Sequence, residues 1–320
     1  MCVTCGCDNV EAIAHGPQDE HAAERRATVY RHGRPSDPLG HWHPDGTWHS
    51  HDHARETTAG TPDSSDSSNP VASEASRTLR IERDILARND ATAAVNRRRF
   101  ADHGVFTLNL VSSPGSGKTT LVVETARAWQ GRTPLAVIEG DQRTSLDADR
   151  VCAVGVDAVQ INTAKGCHLD AQMVGQALDK LCVADDSVLL IENVGNLVCP
   201  AAFDLGEAHK VVVLSVTEGE DKPLKYADMF HAADLMIINK ADLLPYVDFD
   251  VATAIEYARR VRPEIAAIVL STRSGAGFDK WLAWLEAGML RAIRARQGSV
   301  DALRRRVAEL EAQLRAVPAT

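Results

Sequence analysis

Three cysteines near the amino terminus have the type and spacing of metal ligands. Cys2, Cys5 and Cys7 place three thiols within seven residues, beside the chain's own amino group. Thiolate and amine donors suit Ni²⁺ or Cu²⁺ in a square plane and Zn²⁺ in a tetrahedron. The closing pair of a structural zinc knuckle is missing from the nearby sequence. The spacing therefore predicts a metal site on a short loop, and the alternative is a thiol cluster that holds no metal.

A second group of residues has the pattern of a phosphate-binding loop. The segment Ser112–Thr119 follows an apolar strand pattern over Val105–Val111 and precedes a helical pattern, which is the setting that such a loop requires. Its two glycines let backbone N–H groups surround phosphates, and the start of the helix adds partial positive charge. Lys118 is expected to reach the β- and γ-phosphates, and the Thr119 hydroxyl to bind Mg²⁺. The predicted phosphate-binding residues are Ser113, Gly115, Ser116, Gly117, Lys118, Thr119 and Thr120.

The base is predicted from the segment Asn239–Asp242, which directly follows an apolar strand pattern. Its sequence resembles the guanine-binding NKxD motif of GTPases. A carboxylate at Asp242 can accept hydrogen bonds from N1–H and the 2-amino group of guanine, and adenine lacks that pair of donors. Lys240 can lie along the purine ring, and Asn239 can brace the pocket. Such GTPases contact the guanine O6 after their last strand, where this chain has Ser271, Thr272 and Arg273.

Mg²⁺ binding and hydrolysis are predicted from residues at the ends of two further strands. The segment Glu192–Gly195 stands where GTPases usually have an Asp that holds Mg²⁺ through water and a Gly that contacts the γ-phosphate. Asn196 follows, where many regulatory GTPases have a water-orienting Gln, so slow intrinsic turnover is expected. Asp141 is predicted as a second carboxylate on the Mg²⁺ or water side, with a helix cap as the alternative. The predicted catalytic residues are Lys118, Asp141, Glu192 and Gly195, and the predicted Mg²⁺ ligands are Thr119, Asp141 and Glu192.

Two further groups of cysteine and histidine residues are candidate metal ligands. Cys167 and His168 open a predicted helix, and Cys199 lies four residues after Gly195. Adjacent side chains diverge, so a site shared between two subunits is expected, in which nucleotide state changes metal affinity. The alternative is three buried residues without metal, and Cys152 and Cys182 are interpreted as such core cysteines. A histidine tract predicts a weak metal reservoir, with a solvated tract as the alternative. The predicted reservoir consists of His41, His43, His49, His51 and His53.

The apolar pattern predicts the elements that position these residues. Seven short apolar runs alternate with helical patterns, which favours an α/β fold, a P-loop GTPase domain with a mostly parallel sheet flanked by helices. The predicted strands are Val105–Val111, Leu135–Ile138, Ala158–Ile161, Val188–Ile191, Val211–Val216, Leu235–Ile238 and Ala267–Leu270. The predicted helices are Lys118–Trp129, Leu169–Cys182, Val251–Arg260 and Phe278–Ile293. A further helix is predicted to end near Phe100, with Leu79, Ile81, Ile85, Leu86 and Val95 on its apolar stripe.

Three compositional zones divide the chain. Residues 1–75 hold the first cysteines and a polar linker, and no secondary structure is assigned to residues 8–75, so a disordered metal-binding segment is predicted. Residues 76–295 are the predicted GTPase domain. Residues 296–320 are a predicted C-terminal helix whose apolar residues repeat over about three heptads. A coiled coil and a helix packed on its own domain are equal alternatives for that last segment.

The bulk composition argues against several partners and locations. The chain has 320 residues, a net charge of −9 and no long basic stripe, which argues against nucleic acid as a partner. No stretch approaches the roughly 20 apolar residues of a membrane span, and no apolar signal region begins the sequence. Seven cysteines, three of them crowded at one end, do not suit a disulfide framework. A cytoplasmic protein with reduced, metal-binding cysteines is expected.

Five segments together resemble the HypB family of hydrogenase nickel-incorporation GTPases. They are Leu110–Thr120, Glu139–Gln142, Lys165–Asp170, Glu192–Pro200 and Asn239–Leu243. The cysteine cluster and the histidine tract add to the resemblance. It implies a GTP-hydrolysing nickel metallochaperone that serves the [NiFe]-hydrogenase large-subunit precursor and uses GTP or GDP, Mg²⁺, Ni²⁺ and Zn²⁺.

The resemblance also implies roles for both cysteine groups. Cys2, Cys5 and Cys7 become the high-affinity nickel ligands. The implied second site, for nickel or zinc at a dimer interface, consists of Cys167, His168 and Cys199. A nucleotide- or metal-linked homodimer is implied, with the nickel accessory protein HypA and the hydrogenase precursor as partners. Two alternatives stay open, a related chaperone for urease or another nickel, zinc or cobalt enzyme, and a passive metal-storage protein.

Overall fold

The structure is a computed structural model that describes residues 40–42, 48–50, 70–141, 150–163 and 166–316. The chain divides into two units, Met1–Pro70 and Val71–Thr320, and each is described by itself. Among the described residues, no helix has the length and apolar character needed to cross a membrane.

The first unit contains two short strands, β1 Gly40–Trp42 and β2 Trp48–Ser50. They pair in antiparallel fashion, with His41 opposite His49 and Trp42 opposite Trp48. These two strands lie within residues 8–75, a segment to which the sequence analysis assigns no secondary structure. Tryptophan favours strands, and the polar composition of the surrounding sequence concealed that local preference.

A seven-stranded sheet forms the centre of the second unit. Its strands are β3 Phe106–Ser112, β4 Leu135–Asp141, β5 Asp157–Asn162, β6 Val188–Gly195, β7 His209–Ser215, β8 Leu235–Asn239 and β9 Ala266–Val269. The spatial order is β5-β4-β6-β3-β7-β8-β9, and every neighbouring pair is parallel. All seven predicted strands are confirmed. The carboxyl ends of parallel strands meet at one edge of the sheet, and ligands of such folds bind there.

Helices cover both faces of this sheet. They are α1 Pro70–His103, α2 Lys118–Trp129, α3 Ala171–Leu178, α4 Lys222–Lys225, α5 Ala227–Ala232, α6 Val251–Val261 and α7 Phe278–Ala316. Two short 3₁₀ helices span Cys199–Ala201 and Ala241–Tyr246. The side chains of α2 and α7 pack in one apolar cluster, and those of α5 and α6 pack in a second. Phe100 of α1 and Val174 of α3 belong to a third.

The buried face of α1 matches the predicted apolar stripe only in part. Within the predicted apolar stripe, Leu86 is half-buried, whereas Ile81, Ile85 and Val95 are 51%, 49% and 67% exposed. The buried face carries Ala93 and Phe100 together with two asparagines, Asn89 and Asn96. Apolar periodicity misses the two asparagines because hydrogen bonds hold them.

These asparagines attach α1 to the start of α3. Asn89 Oδ1 accepts from the backbone N–H of Ala171 at 2.9 Å. Asn96 Nδ2 donates to the carbonyl oxygens of Ala171 at 2.8 Å and Leu205 at 3.1 Å. Buried amides with satisfied hydrogen bonds specify one docking geometry for the helix.

The last helix, α7, is continuous across the predicted boundary at residues 295/296. Trp281 and Leu285 are fully buried against the sheet, whereas Val300, Leu303 and Val307 are 37%, 65% and 54% exposed. Both alternatives for that last segment stay predictions, because Val300 and Leu303 also line a cavity with Phe100 and Val105 of the same domain. The heptad pattern begins where α7 leaves the core.

The helix predicted at Leu169–Cys182 is shorter in the structure, where it spans Ala171–Leu178. Asp170 caps its start by accepting from the N–H of Met173 at 2.7 Å. Cys182 lies beyond its end and is exposed, so its interpretation as a core cysteine is wrong, and Cys152 is only half-buried.

Candidate functional site

The phosphate-binding loop joins β3 to α2 at the carboxyl edge of the sheet. Gly115 and Gly117 have φ angles of +78° and +95°, and residues that carry a Cβ rarely adopt such a backbone conformation. A Cβ at Gly117 would also lie 2.5 Å from Nδ2 of Asn239. Lys118 is buried, and its Nζ donates to Ser112 Oγ at 2.9 Å. The loop therefore has the conformation that its sequence predicts.

Two of the predicted Mg²⁺ ligands lie in direct contact. Thr119 Oγ1 donates to Glu192 Oε1 at 2.8 Å, although these residues lie 73 positions apart. Glu192 is in register with Glu139 of β4, and Asp141 ends that strand at the same edge. The role of Asp141 as a second carboxylate stays a prediction.

The predicted γ-phosphate sensor lies close to the loop. Gly195 ends β6 and is in register with Ser112. A Cβ at Gly195 would lie 3.2 Å from Cα of Pro114. A side chain at this position would crowd Pro114, so glycine allows the end of β6 to approach the phosphate loop closely.

The base-binding segment is tied to the phosphate loop by two hydrogen bonds and to the loop after the last strand by a third. Asn239 Nδ2 donates to the carbonyl oxygen of Ser116 at 3.0 Å, and Lys240 Nζ donates to that of Gly115 at 2.6 Å. Asn239 Oδ1 accepts from Thr272 N–H at 3.3 Å. The Asn239 side chain therefore joins the phosphate loop to the loop after the last strand.

The carboxylate predicted to read guanine is held by the last loop. Asp242 Oδ1 accepts from Ser271 Oγ at 2.6 Å, and Ser271 is fully buried. Arg273 is exposed.

Two residues of this site were missed by the sequence analysis, Glu218 and Lys222. Glu218 Oε1 accepts from Ser116 Oγ at 2.7 Å, and Lys222 Nζ donates to Ser113 Oγ at 3.1 Å. Burial acts to raise the pKa of Glu218, but hydrogen bonds from Ser116 and the Ser215 N–H hold it below its ordinary value. The sequence feature that could have identified these two residues is the polar segment directly after β7, the strand beside β3.

The predicted inner metal ligands converge on one point. One ligand atom each from Cys167, His168 and Cys199 lies within 4.8 Å of the others. The two sulfurs are 2.7 Å apart, and Cys167 Sγ lies 3.6 Å from His168 Nδ1. The His168 ring packs on Phe203 with centroids 3.9 Å apart. Adjacent residues thus contribute to one cluster, where divergence was expected.

The surroundings of this cluster shift the pKa values of Cys167 and His168 in opposite directions. A hydrogen bond with Cys199, followed by desolvation, raises the pKa of Cys167, and a hydrogen bond with Asn196 opposes the increase. Burial lowers the pKa of His168, against the charge of Asp170, which leaves a neutral imidazole at neutral pH. A metal ion bound here would release a thiol proton.

The remaining predicted metal ligands belong to the N-terminal cysteine cluster and the histidine tract. Cys2, Cys5, Cys7, His43, His51 and His53 lie outside the described residues. His41 and His49 occupy paired positions of β1 and β2. Their roles stay predictions.

Comparison with known proteins assigns the chain to a family. Residues 106–269 match the CobW/HypB/UreG nucleotide-binding domain. A hydrogenase maturation factor HypB of Azotobacter vinelandii is 64% identical over 239 residues, which cover 75% of this chain and 78% of that protein. The HypB of Escherichia coli K12 is 50% identical, over 89% of this chain and 98% of that protein.

The chain belongs to the HypB family. The crystal structure of HypB from Helicobacter pylori in complex with nickel resembles it with a TM-score of 0.60 and 40% identity, over 64% of this chain and 96% of that one. The HypB family domain implies a nucleotide and Mg²⁺ at the carboxyl edge. The phosphate-binding loop, with positive φ angles at its two glycines, fits a nucleotide. The adjacent oxygens of Thr119 and Glu192 fit Mg²⁺, because this ion prefers oxygen ligands.

A buried lysine holds the turn that follows Cys199. Lys210 Nζ donates to the carbonyl oxygens of Pro200 at 2.9 Å, Ala201 at 3.2 Å and Phe203 at 3.2 Å. Glu207 lies 3.9 Å from the ammonium, and both side chains are 7% exposed. Burial lowers the pKa of Lys210, and the charge of Glu207 opposes this.

A Lys210→Met variant is expected to lose about 3–5 kcal/mol of unfolding free energy, because Glu207 and three carbonyls lose their buried partner. Urea denaturation followed by circular dichroism measures the change. Arg260→Met removes an exposed ion pair with Glu256 and should cost less than ~1 kcal/mol. Equal effects of the two substitutions would contradict the assigned role of Lys210.

Proposed function

We propose that the chain is a GTP-hydrolysing nickel metallochaperone that acts in the maturation of [NiFe]-hydrogenase. The observation that carries this proposal is the position of the cysteine–histidine cluster beside the nucleotide sensor. Cys199 follows Gly195 by four residues in the sequence, and its sulfur lies 2.7 Å from that of Cys167. Relatives named hydrogenase maturation factors support the process, and a nickel-bound HypB structure supports the metal.

The nucleotide site supports GTP as the energy source. Mg²⁺, when bound, neutralises phosphate charge, and Thr119 and Glu192 are its proposed ligands. Lys118 binds the β- and γ-phosphates, and Asp242 selects guanine. Asp141 is the proposed second carboxylate on the Mg²⁺ or water side.

Slow intrinsic turnover is part of the proposal. Asn196 stands where a water-orienting side chain is expected, but its Nδ2 donates to the carbonyl oxygen of Cys167 at 3.2 Å. Its Oδ1 accepts from Val198 N–H at 2.8 Å. A side chain engaged at both ends is poorly placed to orient water, so a partner or a second copy is needed for fast hydrolysis.

The cargo is proposed to pass between two sites. Cys2, Cys5 and Cys7 form a high-affinity nickel collector, and the histidine tract is a weak reservoir. Cys167, His168 and Cys199 form an inner site for nickel or zinc at a homodimer interface. The proposed partners are HypA and the hydrogenase large-subunit precursor, and the proposed location is the cytoplasm.

Replacing Cys2, Cys5 and Cys7 together by Ser tests the collector. The tightest Ni²⁺ site should disappear from a competition titration with a chromophoric chelator, while GTP turnover stays within about twofold, because the phosphate loop lies elsewhere in the chain. Cys182→Ser, at an exposed thiol, is the control and should keep both properties. Retention of tight nickel binding by the triple variant would refute the assignment of those ligands.

A further inference from the structure

The nucleotide sensor is hydrogen-bonded to the segment that carries two of the inner metal ligands. Two asparagines, Asn193 and Asn196, lie on either side of Gly195. Each forms a direct hydrogen bond with a backbone group of the segment Cys167–Leu169. The remaining ligand, Cys199, is joined to the sensor by three intervening residues of the chain.

Asn193 holds the segment from within the sheet. Its side chain is 1% exposed, and its Oδ1 accepts from the N–H groups of Leu169 at 3.1 Å and Val194 at 3.0 Å. Its Nδ2 donates to Asn109 Oδ1 at 3.2 Å. Both ends of the amide are therefore engaged, and rotation would leave buried polar groups without partners, which is costly.

Asn196 connects the two halves of the metal cluster. Its Nδ2 reaches the carbonyl oxygen of Cys167 at 3.2 Å, and its Oδ1 accepts from the N–H of Val198, the residue before Cys199. A displacement of Asn196 relative to β6 therefore changes the positions of both thiols. Glycine at 195 allows this segment to contact the phosphate loop at Pro114.

We infer that Asn193 and Asn196 are positioning residues that couple the nucleotide state to metal affinity at Cys167, His168 and Cys199. This inference rests on the proposed function. Contact of the γ-phosphate with Gly195 displaces residues 192–196, and the two amides transfer that displacement to the ligand-bearing segment. Coupling of this kind is reciprocal, so nickel changes nucleotide affinity by the same factor.

The test uses the full chain with Cys2, Cys5 and Cys7 replaced by Ser, so that only the inner site binds Ni²⁺ tightly. Nickel affinity is measured with GDP and with a non-hydrolysable GTP analogue. The background protein should show a difference of at least about fivefold, the lower end of usual allosteric coupling. Asn196→Ala and Asn193→Ala should each reduce that ratio towards one. The thiolate-to-nickel absorption band should persist, which shows that the site still forms.

Asn89→Ala is a matched control. Asn89 also bonds to two backbone groups near the cluster, Ala171 N–H and the Asp204 carbonyl oxygen. It belongs to α1 and not to the sensor, so the variant loses comparable hydrogen bonds and should keep the ratio. The affinity of the GTP analogue with and without Ni²⁺ provides a second measurement of the same factor in every variant.

Several outcomes would overturn the inference. They are a retained ratio in both asparagine variants, a ratio of one in the background protein, or an Asn196→Ala protein that folds but binds no nickel. The proposed function survives the first two, because nickel binding and GTP turnover remain. If the background protein binds no Ni²⁺ at this cluster, the inner site of the proposed function fails, and the coupling fails with it.

Discussion

An Asp242→Asn variant is expected to lose GTP affinity by about 100-fold or more and to gain affinity for xanthosine triphosphate. A carboxylate accepts from both N1–H and the 2-amino group of guanine, and each such charged hydrogen bond contributes about 1.5–3 kcal/mol. The amide of Asn would place an NH₂ group against the 2-amino group. Xanthine has an oxygen at that position, and the amide can donate to it.

The structure makes this substitution a clean test of base recognition. Ser271 Oγ donates to Asp242 Oδ1, and the oxygen of an amide accepts the same bond, so the side-chain orientation should persist. Titration with fluorescent guanine and xanthine nucleotides measures both affinities. Asp248→Asn, at an exposed acid six positions later, is the matched control and should change neither. Unchanged GTP affinity in Asp242→Asn would exclude guanine reading by this carboxylate.

Much of the fold could be predicted because buried parallel strands have a distinctive sequence. Each strand near the centre of the sheet is a short run of aliphatic residues, as in Val211–Leu214, where every side chain is almost fully buried. Polar residues at the carboxyl ends of such runs then identify the ligand edge. Thr119 and Glu192 are adjacent for this reason, although 73 positions separate them.

The missed features involve polar contacts that hydrophobic periodicity cannot report. Asn89 and Asn96 hold part of the buried face of α1 by hydrogen bonds, so the apolar residues of that helix identify the face only in part. A lysine is expected at the protein surface. Lys210 is nevertheless only 6% exposed, and its ammonium group donates hydrogen bonds to three carbonyl oxygens. Glu218 and Lys222 lie after β7, and only the spatial order of the strands shows that β7 lies beside the phosphate-loop strand.

The inner metal cluster shows how local geometry can override a rule of thumb. Side chains of adjacent residues usually diverge, but Cys167 and His168 lie in a turn before α3 that is neither helix nor strand. The ring of Phe203 packs on His168, and Cys167 Sγ lies 3.6 Å from His168 Nδ1. Three ligands from two segments are therefore already gathered within one subunit.

Because these ligands are gathered in advance, replacing both Cys167 and Cys199 by Ser should abolish the inner Ni²⁺ site. In the background lacking Cys2, Cys5 and Cys7, we expect nickel affinity to fall by more than about 100-fold. Mutation of residues that only hydrogen-bond to metal ligands already lowers metal affinity by about 10- to 100-fold. The thiolate-to-nickel absorption band should disappear. GTP binding should persist, because the phosphate loop and Asn239–Asp242 remain intact.

The matched control replaces Cys152 and Cys182 by Ser, which removes two thiols that lie outside the cluster. It should keep the absorption band and the nickel affinity of the background protein. A single Cys167→Ser change should remove most of the affinity, because a hydroxyl is a poor ligand for nickel and its proton is hard to displace. Nickel binding that survives the double Cys167/Cys199 variant would place the inner site elsewhere and separate the sensor from the metal.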